Sequence, residues 1–115
     1  MALDPDDIKD EMDTEKRHIY TVLELSDIFY PIFEQYGVKR AILFGSYAKG
    51  KATAKSDIDI LVDSGLKGSK FLGLADDMQI AAQKDVEVFD IKHIDKGSRI
   101  EQEIKSTGVL LFGRE

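Results

Sequence analysis

Ile42-Leu43-Phe44-Gly45-Ser46 and, after ten intervening residues, Asp57-Ile58-Asp59-Ile60-Leu61-Val62 are the two stretches whose joint reading decides the fold. Each contains a short apolar run with the β-branched and aromatic bias of a buried strand. The glycine-serine pair closes the first run and the Asp-x-Asp pair opens the second, so both polar groups stand at strand ends. Side chains alternate faces along a strand, which puts Asp57 and Asp59 on one face and Ile58 and Ile60 on the other. At a rise of about 3.3 Å per residue their Cα atoms lie roughly 7 Å apart, so both carboxylates can act on a common dication or a close pair of them.

Working outward, Thr21-x-x-Glu24 forms a capping box, and Val22, Leu25, Ile28, Phe29, Ile32, Phe33 and Tyr36 fall on one stripe at helical spacing. The pattern predicts a helix over about 22–36, ended by Gly37, with a kink or a split near Pro31, whose ring nitrogen cannot bond the carbonyl of Asp27. Strand one follows over about 39–44, then a turn and short helix from Ser46, a loop over 50–56, and strand two over about 57–63. Phe71, Leu72, Leu74, Ala75, Met78, Ala81 and Ala82 predict a second amphipathic helix to about Lys84. Strand three covers 86–89, Ser98-x-x-Glu101 opens a third helix that Gly108 ends, and Val109 to Phe112 make a last strand. Helices interleaved with three or four strands indicate an α/β (α+β) domain with a small mixed β-sheet.

Composition sets limits. The 115 residues suit one domain that buries about two-thirds of its unfolded surface. With 43% hydrophobic and 33% charged residues, no apolar run of membrane-spanning length and no signal-peptide pattern, the expected location is cytoplasmic, with no membrane partner. The lack of cysteine removes disulfides and thiolate zinc sites. The net charge of -6 is local, because residues 1–15 hold seven acids and one base, leaving 15 acids and 15 bases in the rest. An acidic leader over 1–18 is therefore expected ahead of a folded domain over 19–115. From Gly37 to Ser56 there is no acid, while Lys39, Arg40, Lys49, Lys51 and Lys55 draw anions to the Gly45 turn. The balanced charge of the remainder argues against strong nucleic-acid binding.

One more acid stands out. Glu87 lies between Val86 and Val88 in a strand, where an ionised carboxylate is costly without a cation or hydrogen bonds. Alternation gives the valines one face, shared with Asp90, and Glu87 the other. If that second face carries Asp57 and Asp59, three carboxylates surround one point.

Phe44-Gly45-Ser46-Tyr47-Ala48-Lys49-Gly50, then Ser56 to Val62, then Val86-Glu87-Val88, resemble the minimal nucleotidyltransferase family of the DNA polymerase β superfamily. The resemblance runs from about Val22 to Phe112. It implies a polymerase-β-like fold, a nucleoside triphosphate as ligand, and transfer of AMP from ATP to a hydroxyl. Gly45 would let the backbone approach a phosphate, Ser46 would donate to it, and Lys49 would neutralise its charge. Asp57 and Asp59 would hold two Mg²⁺ ions, with Glu87 completing the metal site or taking the hydroxyl proton. Lysine at position 49 offers a point charge where relatives often have the arginine fork, and Glu87 stands where aspartate is commoner.

The implied partner is a helical toxin of the HEPN type, with a tyrosine as acceptor and this chain as antitoxin. Two other readings stay open: an antitoxin that neutralises by binding alone, and transfer to a small molecule such as an aminoglycoside. A homo-oligomer is also compatible.

Overall fold

The structure, a computed structural model, describes residues 18–113. Of the acidic leader expected over 1–18, all but the last residue lies outside the described residues. The elements run α1 (Val22–Tyr36), β1 (Arg40–Phe44), β2 (Ile58–Asp63), α2 (Ser69–Ala82), β3 (Val86–Asp90), a 3-10 turn (Ile91–His93), α3 (Arg99–Thr107) and β4 (Val109–Phe112). The sheet has the order β3-β2-β1-β4, antiparallel at β1–β2 and β1–β4 and parallel at β2–β3. This is the small mixed sheet that the helix and strand periodicities predict.

Local chemistry explains most boundaries. Thr21 and Glu24 complete the capping box reciprocally at 3.1 and 2.9 Å, and Gly37 ends α1 in the left-handed region at φ +68°. Ser98 Oγ accepts from the N–H of Glu101 to start α3. Pro31 does not split α1, which runs through it unbroken. Pro31 and Asp27 both face solvent, where water can take the carbonyl that loses its donor. The short helix expected from Ser46 is replaced by consecutive turns. Lys49 N–H reaches Gly45 O at 3.2 Å and Lys51 N–H reaches Ser46 O at 2.9 Å, but Gly50 at φ +71° ends the run before a helix can propagate.

One face of the sheet is covered and the other is largely open. On the covered face Ala41, Leu43, Ile58, Ile60 and Val62 pack against Leu25, Phe29 and Phe33 of α1 and Leu74, Met78 and Ala82 of α2, all fully buried. Tyr47 joins this core beneath the Gly45 turn. Its hydroxyl is buried without a well-formed hydrogen bond, the backbone of Tyr20 offering only a weak one. Among the described residues no helix is long and apolar enough to cross a membrane.

Asp90 is the charged residue within the covered layer, 2% exposed. Burial alone would raise its carboxyl, but hydrogen bonds from Ser64 Oγ and the N–H of Lys92 outweigh that and hold it below the usual carboxylate range. Asp90→Ala would leave both donors unpaired, and should cost about 1–3 kcal/mol in denaturant unfolding at pH 7. Because the folded value is the lower one, the ionised group stabilises the fold above the unfolded value of about 3.9. The gap between wild type and variant should therefore narrow as the pH falls below 4 and through the folded value.

Candidate functional site

The open face carries the acids. Antiparallel register sets Phe44 opposite Asp59, and parallel register sets Asp59 beside Glu87, so the end of β1 and the starts of β2 and β3 form one row. Partners in register point to the same face, and Ile58 opposite Val86 puts the apolar set on the other. Gly45 follows directly on Phe44. Its φ is +75°, and a Cβ there would collide with Oδ2 of Asp59 and come within 3.2 Å of Cγ. Glycine is needed twice over, for its dihedral and for the space that Asp59 takes.

Asp59 is the most perturbed group of this row. Burial first, then the charge of Glu87, a hydrogen bond with Glu87 and the charges of Asp57 and Glu103 push its carboxyl up to about 6. Asp57 acts on Asp59 through charge and is itself exposed, as is Glu87. Among the described residues, no group of three His, Cys, Asp or Glu side chains is gathered closely enough to make a ready metal cage. The structure thus sets Asp59 level with Glu87 and leaves the exposed Asp57 just ahead of β2. Carboxylate oxygens are the donors a hard dication takes, and such a cation would relieve both the burial and the like charges that raise Asp59, so the donor set fits magnesium.

Ser46 is half-buried on the turn after Gly45. Lys49 is exposed on the same turn, yet its Nζ is not free: it bonds Oε1 of Glu103 on α3 at 2.8 Å. Glu103 was not singled out in the sequence. It sits in the third helix with nothing local to mark it, and only the folding of α3 beside β1 brings it to Lys49 and within electrostatic reach of Asp59. Phe44 and Phe89, with ring centroids 5.6 Å apart, are the aromatic neighbours of the acidic row.

The family model for polymerase beta nucleotidyltransferases matches residues 29–115. The chain belongs to that family. Several proteins of Methanocaldococcus jannaschii, provisionally named protein adenylyltransferases, are similar to it. One is 47% identical over 51 residues, covering 44% of this chain and 54% of that protein. Another is 47% identical over 47 residues, covering 37% and 48%. The matches thus span about half the length of these relatives.

Among solved structures, a chain of a toxin–antitoxin crystal structure with AMP-PNP superposes with a TM-score of 0.68 at 24% identity, over 78% of this chain and 74% of that one. The structure of a tri-AMPylated Shewanella oneidensis HEPN toxin in complex with an MNT antitoxin gives 0.61 at 22% identity, over 78% and 71%. The family member's fold is the polymerase-β-like one that the motifs imply.

Two substitutions test this electrostatic arrangement apart from any reaction. Gly45→Ala should destabilise the protein by about 1–2 kcal/mol from the dihedral alone, more if Asp59 must move. A raised folded value means that ionised Asp59 opposes folding as the pH climbs from about 4 through 6. In chelator at pH 8, Asp59→Asn should therefore raise the melting temperature, and near pH 4 the gain should vanish.

Proposed function

We propose that this chain transfers AMP from ATP, with Mg²⁺, to a hydroxyl of a protein partner, a tyrosine of a HEPN-type helical toxin, and thereby acts as its antitoxin. The observation that carries the reading is Asp59, level with Glu87 on the neighbouring strand, packed directly beneath a glycine that can be nothing else. A half-buried acid level with an exposed one, beside an acid-free, lysine-bearing turn, is an arrangement for a polyanion and a cation together. Family membership supports nucleotidyl transfer. The names of the M. jannaschii relatives support a protein acceptor, and the toxin–antitoxin structures support the kind of partner.

In this reading the backbone at Gly45 and Ser46 and the Ser46 hydroxyl hold the β- and γ-phosphates, and Lys49 leaves Glu103 to neutralise them. Asp57 and Asp59, with Glu87, would hold the Mg²⁺ ions. Bound there, the ions supply charge neutralisation for the triphosphate and acidify the acceptor hydroxyl. Glu87, exposed at the edge strand, accepts the hydroxyl proton as the oxygen forms its bond to the α-phosphorus and the bond to pyrophosphate breaks. Glutamate here reaches one methylene further than aspartate would, which the exposed edge position accommodates.

Incubation with a helical toxin encoded beside this chain, with ATP and Mg²⁺, should add one or more AMP units to the toxin by mass spectrometry. Asp57→Asn and Asp59→Asn should each abolish the transfer by at least about 100-fold, as expected when a catalytic charge is lost. Lys49→Ala should chiefly raise KM for ATP. If the toxin stays unmodified but neutralised by both Asn variants, the protein masks its partner and the transferase reading fails.

A further inference from the structure

The open face of the sheet continues past the acidic row. One step along the strands, away from Gly45, Ile42 and Leu61 are opposite each other and floor a cavity of about 450 Å³. Ile94 beyond the 3-10 turn, Ile104 of α3 and Leu110 of β4 wall it, and Arg40 stands at its mouth. The volume falls within the range of about 300–1,000 Å³ common for binding pockets. Phe44, in the row of Asp59, and Phe89, in the row of Leu61, link the cavity to the carboxylates. Six of its lining residues are isoleucine or leucine, and Arg40, Glu101 and Lys105 are the charged ones, the last two paired with each other at 3.5 Å. Arg40 makes no ion pair among the described residues.

The direction of attack says what lies over this cavity. In phosphoryl and nucleotidyl transfer the attacking and leaving oxygens stand roughly in line through phosphorus. With pyrophosphate leaving toward Gly45, Ser46 and Lys49 at the β1 end of the acidic row, the acceptor oxygen enters from the β3 end, over Glu87. A polypeptide that brings a hydroxyl there carries its neighbouring residues over Phe89 and the cavity. Two residues of extended chain cover roughly 7 Å, the same interval that separates Asp59 from Leu61 along β2.

We propose that the cavity between α3 and the 3-10 turn is the docking pocket of the polypeptide acceptor, taking a bulky aliphatic side chain two residues from the hydroxyl to be modified. The inference rests on the transferase reading above. It gives the acceptor a local sequence requirement: a hydroxyl residue with an apolar neighbour at the second position, in extended conformation.

The test uses the full chain with Mg²⁺, a nonhydrolysable ATP analogue and a pair of fluorescein-labelled peptides. Each peptide has a central tyrosine, flanked at both second positions by leucine in one and by serine in the other. Fluorescence anisotropy should show the leucine peptide binding about ten-fold tighter or more, as one buried leucine provides. Ile104→Arg should erase that preference and leave ATP affinity, by calorimetry, unchanged. Ile94→Arg, on the facing wall, repeats the test should Ile104→Arg misfold by circular dichroism.

Equal binding of the peptides by the wild type, or a preference that survives a folded variant, overturns the inference. So does a loss of ATP affinity with tripolyphosphate affinity intact, which would put the nucleobase in the cavity. Docking is read here without chemistry. Pocket-dependent binding of a peptide that never gains AMP under ATP would count against transfer alone.

Discussion

The placing of Asp59 level with Glu87 and beneath Gly45 is the constraint around which the rest of the open face is arranged. Two carboxylates level on neighbouring strands repel unless a proton or a cation sits between them, and here burial first and then the charge of Glu87 raise Asp59 to about 6. The fold tolerates this because both groups are fixed by backbone register rather than by their own side-chain preferences. Asp59 is paired through β2 with Phe44 on one side and Glu87 on the other, so the ladder of backbone hydrogen bonds keeps the two acids on neighbouring positions of one face.

That rigidity comes from the covered face. Phe29, Phe33, Leu25, Leu74 and Met78 are wholly buried against the central strands, each worth roughly 1.5–3 kcal/mol on removal from water. The sum offsets an unfavourable electrostatic cluster a few ångströms away. The open face, by contrast, is covered only in part, by α3, in which none of the residues is fully buried. One layer therefore carries the stability and the other carries the chemistry. A cleft on the second layer can be lined by acids at one end and aliphatic side chains at the other without either set compromising the core.

Lys49 shows how the site holds charge in balance before any ligand arrives. Its partner Glu103 adds to the negative field at Asp59 and at the same time occupies the cation that a phosphate would seek. The pair is partly exposed, so it is weak enough to exchange. An anion entering the turn can replace Glu103 on Lys49 without leaving a buried charge unpaired.

The sequence by itself determined the elements and the face of its own strand on which each acid lies. Period-two alternation in Ile58 to Val62 and Val86 to Val88, helical stripes in the first two helices, and cap residues at Thr21, Gly37, Ser98 and Gly108 are local signals, and local signals suffice for strands, helices and the faces of each. They also suffice to place Asp59 and Glu87 on the side away from the isoleucines and valines. Locally misread were the turns after Ser46, where Gly50 stops a helix, while at Pro31 the helix runs on without a split. Only the tertiary structure decided that β3 lies parallel to β2 with Glu87 level with Asp59, that Asp59 fills the space a Cβ at Gly45 would need, and that Glu103 takes Lys49. Those facts depend on which residues far apart in sequence become neighbours, and pairing across a sheet is fixed by the packing of whole layers, which no single segment encodes.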